Sequence, residues 1–416
     1  MPALADSLFA AARAIGAVIG GRNLDQALAE LKLAAELRPA VLDYSYGALR
    51  AYGRGDFFLA RLLREPVKDP VLRGLLLAAL HRLAARPEDA HTTVDQAVTA
   101  AARIAKGRYK GLANGVLRNF LRRRDDLLAQ LENDDEARWQ HPLWWQERLR
   151  AAYPEDWGGI LEAGNGHPPM TLRVNRRWGD AAAYAAELAA VGIGARALDD
   201  TAVLLAKPVP VDRLPGFAAG RASVQDWGAQ RAAALLDAEP GMRVLDACAA
   251  PGGKTAHILE WADVTLTAVE ADPARAVRIE ENLCRLGLAA AIKVADCRDL
   301  PAWWDGRPFE RILADVPCSA SGVVRRHPDV KWLRRPADVA AFARTQAEIL
   351  DSLWQVLASG GTMLYATCSV FPGENQEQVA AFLARHADAA GPAANNLQLL
   401  PDAGHDGFYY AQLEKR

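Results

Sequence analysis

The chain has 416 residues, 51% of them hydrophobic and 24% charged, with a formal net charge of −2. That balance belongs to ordinary folded proteins and excludes a disordered, fibrous or uniformly basic chain. The length exceeds the size at which one hydrophobic core keeps growing, so two or three domains are expected.

The first twenty residues are apolar-rich, but Asp6 and Arg13 interrupt them and no basic segment comes first, so no secretory leader is expected. No later run approaches the ~18 apolar residues of a membrane span. From there to about residue 130, apolar residues recur three and four apart, as at Leu72, Leu75, Leu76, Ala79, Leu80 and Leu83. This spacing predicts an all-helical domain over 1–135. The small net charge hides a local excess: Arg103, Lys106, Arg108, Lys110, Arg118, Arg122, Arg123 and Arg124 occur without an acidic residue among them. Such a stretch is either an electrostatic footprint for nucleic acid or a solvated helix face.

Pro142, His167-Pro168-Pro169, Pro208, Pro210 and Pro215 punctuate the middle of the chain. Between them Thr171 to Asn175 and Val203 to Leu205 read as short strands around a helix near 180–191, a small α+β linker over 136–220. From 221 the pattern changes. Apolar strands at Arg243 to Ala247, Leu266 to Glu270, Ala291 to Ala295, Arg311 to Asp315 and Thr362 to Ala366 alternate with helical stretches. That alternation predicts a parallel sheet with helices on both faces and ligands at the carboxyl ends of the strands. The Ala/Gly/Pro-rich stretch 388–396 reads as a surface loop.

Val244 to Thr255 is a strand, a small-residue turn and a helix start, where backbone can approach a ligand closely. Gly253-Lys254-Thr255 is similar to the end of a phosphate-binding P-loop, but that motif needs Gly where this chain has Cys248. Glu270 ends the second strand, where nucleotide-binding domains bond ribose hydroxyls, and Asp296 follows the third, placed to accept from an adenine amino group. Each carboxylate alone is equally a solvated loop residue; their order after the turn favours the site. The five cysteines, at 248, 284, 297, 318 and 368, include no C-x-x-C pair, so neither a disulfide framework nor a metal site is expected and a reducing cytoplasm fits. Cys284 and Cys297 read as small buried hydrophobes. Cys318 and Cys368, each past a strand and followed by Ser, do not fit that pattern.

On these residues the sequence resembles the RNA 5-methylcytosine methyltransferases of the NOP2/Sun group. The resemblance rests on Asp246 to Thr255, Asp296, Asp315 to Ser319 with Gly322 to Asp329, Thr367-Cys368-Ser369, Glu374-Asn375 and Asp406 to Tyr409. Leu112 to Arg118 is similar to a NusB-type RNA-binding domain, which points to bacterial members acting on 16S ribosomal RNA. The resemblance implies an α/β Rossmann-like class I methyltransferase domain over 221–416, with a mostly parallel seven-stranded sheet. An all-α NusB-like domain and the small α+β linker would precede it.

It implies S-adenosyl-L-methionine as cofactor, held by Cys248, Ala249, Ala250, Pro251, Gly252, Gly253 and Lys254, with Glu270 on the ribose, Asp296 near the adenine and Asp315 beside the methyl donor. Cys368 would be the nucleophile and Cys318 the releasing group, with Asp315 the third catalytic residue. RNA contacts are expected at Arg103, Lys106, Arg108, Lys110, Arg118, Arg122, Arg325 and Arg326, and the partner is 16S ribosomal RNA, free or partly assembled, met by a monomer. Ala320 stands where the group often has Gly, and Glu270 where it often has Asp.

The chemistry suits these types. Carbon 5 of cytosine is a poor nucleophile until another nucleophile adds at carbon 6, and a thiolate is soft and partly ionised near neutrality at a reference pKa of about 8.5. Asp315, when protonated, would donate to nitrogen 3 of the base and stabilise the adduct. Lys254 orients Asp315 or the cofactor, or is a solvated lysine at a helix start; the sequence leaves both open. Two other functions stay in view: the same chemistry on transfer RNA, and a non-catalytic RNA-binding or ribosome-assembly factor, against which the intact cysteines and cofactor turn argue.

Overall fold

A computed structural model of the chain describes residues 3–391 and 396–416. By packing the chain divides into two units, Met1–Gly166 with Val324–Pro336, and His167–Val323 with Ala337–Arg416. The three consecutive segments drawn from the sequence follow chain order, whereas packing does not. Helices Leu143–Ala152 and Trp157–Asn165, numbered with the linker in the sequence, belong to the helical unit.

The helical unit is built around Pro70–Ala85. Asp69 caps this helix, accepting from the amides of Val71 and Leu72 at 3.0 Å each, and Pro70 supplies a preset φ at its first turn. The six periodic residues Leu72 to Leu83 are all 0% exposed. Helix Leu4–Ile19 lies so close that a Cβ added at Gly74 would sit 2.4 Å from the Ala12 carbonyl oxygen, which requires glycine there. A short piece of the carboxy-terminal third completes this unit: Asp329 accepts from the Leu24 amide at 2.9 Å, and buried Lys331 donates to Asn165 at 2.8 Å.

The second unit holds two sheets. In the smaller, β1 (Thr171–Val174), β2 (Ala195–Ala197), β3 (Ala202–Leu205) and β4 (Ala222–Val224) pair antiparallel in the order β2-β3-β1-β4. The larger contains β5 (Arg243–Ala247), β6 (Thr265–Glu270), β7 (Ala291–Val294), β8 (Phe309–Asp315), β9 (Leu357–Thr367), β10 (Ala389–Ala390), β11 (Leu397–Leu399) and β12 (Phe408–Lys415). Its path β10-β12-β9-β8-β5-β6-β7 has the seven strands expected, and an eighth, β11, pairs with β12. The five strands β7 to β9 along this path are parallel; β12 and its partners run antiparallel. The stretch expected to be a loop at 388–396 contains β10; residues 392–395 lie outside the described ones.

Strand order reverses between β5 and β8. Ligands of doubly wound sheets bind at the carboxyl ends beside such a reversal. The turn after Ala247 and the end of β8 at Asp315 meet there, and the register Asp315 to Ala366 sends the chain after β8 and the chain after β9 out of the same edge.

Candidate active site

The turn after β5 is shaped by two left-handed residues, Cys248 (φ 62°) and Gly252 (φ 91°). At Gly252 a Cβ would come within 3.0 Å of the Ile279 Cα, so helix Pro273–Leu286 closes the space a side chain would need. Glu270, 4% exposed, accepts from the Ala250 amide at 3.1 Å and from the Asp272 amide at 3.0 Å, which ties the end of β6 to the turn. Its Oε1 also lies 3.5 Å from the Arg275 guanidinium, while Oε2 keeps a lone pair for a hydroxyl donor. Arg173 of β1, 1% exposed, makes a two-pronged pair with Glu260 at 2.8 and 2.9 Å and donates to the Gly253 carbonyl at 2.7 Å, fixing the start of the helix that follows.

Asp246 is 0% exposed; its Oδ2 accepts from Thr255 at 2.6 Å while Oδ1 has no hydrogen-bond partner among the described residues. Burial pushes its carboxyl up to about 7, against the opposing effect of the Thr255 bond. Close backbone, an unpaired buried acceptor and a carboxylate ending the next strand fit an amino-acid nucleoside such as S-adenosyl-L-methionine. Asp296 is placed differently: it is 43% exposed and held by Arg298 at 2.6 Å, a bond that lowers its carboxyl. Cys297 is buried as expected, 3.9 Å from Cys248, and this contact together with burial holds the Cys248 thiol up. Cys284 corrects the sequence expectation. It is exposed, because the buried stripe of its helix runs through Ala276, Ile279, Leu283 and Leu286, and the position after Leu283 turns away.

Across the reversal, Lys254 donates to Asp315 at 2.6 Å, with side chains 13% and 30% exposed. Burial favours the neutral amine, but Asp315 outweighs it and holds the ammonium above its ordinary range. Lys254 is thus paired with Asp315 rather than solvated. Cys318 follows Asp315 by three residues and Cys368 follows Ala366 by two, and their sulfurs lie 3.3 Å apart. Cys318 is buried and Cys368 half-buried. The bond to Cys368, then burial, then the negative charge of Glu374 hold the Cys318 thiol well above the usual range.

Beneath the pair lies a polar cluster that the sequence motifs contained without disclosing. Glu374, 0% exposed, accepts from the Ser319 amide at 2.7 Å and from the Ser319 and Ser369 hydroxyls at 2.6 Å each. Asn375 accepts from Thr367 at 2.7 Å and donates to the Ser369 carbonyl at 2.9 Å. The Gly322 amide donates to the Cys368 carbonyl at 2.8 Å, and a Cβ at Gly322 would sit 2.3 Å from the Gly407 carbonyl oxygen. Serine after cysteine was the only local signal; that one acidic residue would join both loops had none.

The basic stretch is split. Residues up to Tyr109 form a turn with left-handed Ala105, Lys106 and Gly107, and helix Lys110–Gln130 carries the rest. Lys106, Arg108, Lys110, Arg118 and Arg122 are exposed, Arg103 pairs with Asp6 at 2.5 Å, and Arg118 also donates to Asn114 at 2.9 Å. Arg325, expected as an RNA contact, is 3% exposed and its carbonyl accepts from Arg50 at 2.9 Å, so it is no surface cation; Arg326 is half-buried.

Among the described residues no group of three or more His, Cys, Asp or Glu is arranged to hold a metal ion, and no helix is long and apolar enough to cross a membrane.

The reversal-point turn, the acidic strand end and the fold together define a methyltransferase that uses S-adenosyl-L-methionine. The fold recurs in the crystal structure of PH0851, with TM-score 0.83 and 23% identity over 100% of both chains. It recurs again in NSun6 from Pyrococcus horikoshii with SFG, with TM-score 0.59 and 19% identity over 66% of this chain and 98% of that one. A family model described as 16S rRNA methyltransferase RsmB/F matches residues 233–414, a ferredoxin-like domain of RsmF/B-like methyltransferases matches 141–212, and the NusB family matches 6–122. The chain is 45% identical to ribosomal RNA small subunit methyltransferase B of Pseudomonas putida over 98% of each, and 42% identical to that of Escherichia coli O6:H1 over 98% of each. It belongs to the ribosomal RNA small subunit methyltransferase B family and is an rRNA methyltransferase.

Proposed function

We propose that the protein forms 5-methylcytosine in 16S ribosomal RNA through a transient bond between Cys368 and carbon 6 of the target base. The observation that carries this reading is the 3.3 Å contact between the Cys318 and Cys368 sulfurs, at the ends of adjacent strands beside the cofactor turn. Cys248 to Lys254 and Glu270 would hold S-adenosyl-L-methionine, with Asp296 reaching the adenine by sharing itself with Arg298. When bound, this cofactor supplies an electrophilic methyl group.

The residues divide the remaining work. Cys368, the less buried of the two cysteines, attacks carbon 6, which makes carbon 5 nucleophilic. Asp315 faces nitrogen 3, with Lys254 holding the proton that this nitrogen needs in the adduct. Once carbon 5 is methylated, its proton passes to water, nitrogen 3 gives its proton back, and the bond to Cys368 breaks to restore the aromatic ring, with the Cys318 thiol giving its proton to the departing sulfur. The base must leave its stack to reach this edge, and the exposed cations Lys106, Arg108, Lys110, Arg118 and Arg122 supply attraction for the RNA backbone, with Arg103 partly committed to Asp6.

The chain acts as a cytoplasmic monomer on free or partly assembled RNA, the setting in which such a base is accessible. Cys368→Ala abolishes methyl transfer, and appreciable turnover rules out the nucleophile assignment. Cys318→Ala accumulates a protein–RNA adduct on a denaturing gel; accumulation in Cys368→Ala instead exchanges the two roles. Bisulfite mapping of RNA from a deletion strain identifies the cytosine, and loss of a mark from transfer RNA alone would overturn the substrate.

A further inference from the structure

The reading above assigns work to two sulfurs but leaves open what keeps them in contact. The loops that carry them are separate: Cys318 follows β8, Cys368 follows β9, and the residues are fifty positions apart. Parallel pairing ends at Asp315 and Ala366, so the ladder does not extend to either sulfur.

Glu374 joins the two loops. Its Oε1 accepts from the Ser319 amide at 2.7 Å and from Gln346 at 3.3 Å, and its Oε2 accepts from the Ser319 and Ser369 hydroxyls at 2.6 Å each. The residue after each cysteine therefore bonds to one carboxylate. Ser321 extends the joint, lying 3.0 Å from the Ser369 hydroxyl and accepting from the Val370 amide at 2.9 Å. Glu374, Ser319, Ser369 and Gln346 are all 0% exposed. Burial raises the Glu374 carboxyl above its usual range, and the bonds from Ser319, Ser369 and Gln346 oppose that rise, since a carboxylate that meets four donors is suited to its ionised form, which only accepts. No cationic side chain pairs with it among the described residues.

We propose that Glu374 is a positioning residue for methyl transfer, gathering the two cysteine loops through Ser319 and Ser369 so that the sulfurs hold contact. This rests on the reading in which Cys318 and Cys368 perform the chemistry. The charges around the pair are unequal. After its contact with Cys368 and its burial, the negative charge of Glu374 holds the Cys318 thiol up, whereas the Lys254 ammonium interacts with Cys368. A positive neighbour favours a thiolate and a negative one disfavours it. The negative charge of Glu374 thus adds to the Cys368 contact and to burial in keeping the Cys318 thiol protonated. Glu374 reaches neither RNA nor methyl donor; it acts through Ser319 and Ser369.

The test uses the full chain with Glu374→Gln, which keeps the shape and removes the charge. The readouts are kcat and KM with a 16S RNA transcript, S-adenosyl-L-methionine affinity by calorimetry, and the pH profile of Cys318 alkylation by iodoacetamide, followed by peptide mass spectrometry. Cofactor affinity and RNA KM are expected within about twofold, while kcat falls by about 100-fold, the scale of a misplaced reacting group. The Cys318 alkylation midpoint moves to lower pH, so that alkylation at pH 8 is about threefold faster, as half a pKa unit requires. A folded Glu374→Gln with kcat within about twofold of the parent overturns the positioning role, and an unmoved midpoint overturns the charge role.

If Glu374→Gln does not fold, Ser369→Ala removes one donor and carries the same measurements: a several-fold fall in kcat is expected, and an unchanged kcat overturns the proposal. The alkylation profile does not depend on which sulfur attacks RNA. Active Cys368→Ala therefore removes the nucleophile reading alone, whereas unchanged Glu374→Gln beside inactive Cys368→Ala removes this inference alone.

Discussion

The carboxyl edge of the large sheet and the basic stretch of the helical unit both depend on charge, and they use it in opposite ways. At the sheet edge charges are committed. Arg173 and Glu260 are each 1% exposed in their pair, Lys254 is held by Asp315, and Glu374 meets donors from two loops. In the basic stretch Lys106, Arg108, Lys110 and Arg122 remain exposed, and the pair of Arg103 with Asp6 has side chains 44% and 36% exposed. Committed charges set geometry to fractions of an ångström and are costly to strip of a partner. Uncommitted charges act at a distance, and individual members are interchangeable. The chemistry and the RNA attraction of one protein thus fall to separate populations of charged side chains.

The sharpest way to break this contrast is Arg173→Ala. It leaves Glu260 buried without a cation and removes the donor to Gly253, so a loss of about 3–5 kcal/mol is expected by chemical denaturation. Arg118→Ala should stay within about 0.5 kcal/mol of the parent. Replacing Arg173 and Glu260 together by Met should recover most of the loss, because no unpaired charge then remains. Equal effects of Arg173→Ala and Arg118→Ala would erase the distinction.

The basic side is sharpened by salt. If four of the exposed cations meet phosphates, the logarithm of RNA affinity falls against the logarithm of salt with a slope near −3, a loss of tens of fold between about 50 and 200 mM. Changing Arg108, Lys110, Arg118 and Arg122 to Gln should weaken binding at low salt and flatten the slope by about that amount, with kcat at saturating RNA retained. Filter binding over a salt series measures it, and an unchanged slope would make these residues a solvated helix face. Arg325 is left out because its burial removes it from any such exchange.

How far these two regions could be read from sequence differs for the same physical reason. Strand and helix periodicity disclosed β5 to β9 and the central helix Pro70–Ala85, since those patterns follow from which face is buried. β12 escaped because its buried run from Phe408 to Ala411 does not alternate, and such runs fit a strand or a helix segment equally. β2 escaped because its three residues bury little. Exposed cations were legible as a charge count. The cysteine contact was not, since strand register brings together two positions fifty residues apart. Glu374-Asn375 counted only as part of the family motif, and nothing local distinguishes an acid that faces water from one that binds two distant loops. Arg325 misled in the reverse direction, as a basic doublet reads as surface.

The smallest expected effect concerns one methyl group at the committed edge. Ala320 has φ 61°, in the left-handed region, between Ser319 and Ser321 of the Glu374 cluster. An L-residue with a Cβ loses about 1–2 kcal/mol there, whereas glycine adopts it freely but loses about 0.5–1 kcal/mol more backbone freedom on folding. The difference predicts that Ala320→Gly stabilises the protein by about 0.5–1 kcal/mol, a rise of a few degrees in melting temperature. The same change at Ala113, buried in the first turn of helix Lys110–Gln130, should destabilise by a similar or larger amount because glycine weakens a helix and leaves a void. Opposite signs for one substitution follow if the cysteine loop is held in its conformation by its hydrogen bonds despite local backbone strain. A loss of stability at both positions would mean that the Ala320 methyl packs favourably enough to outweigh that strain.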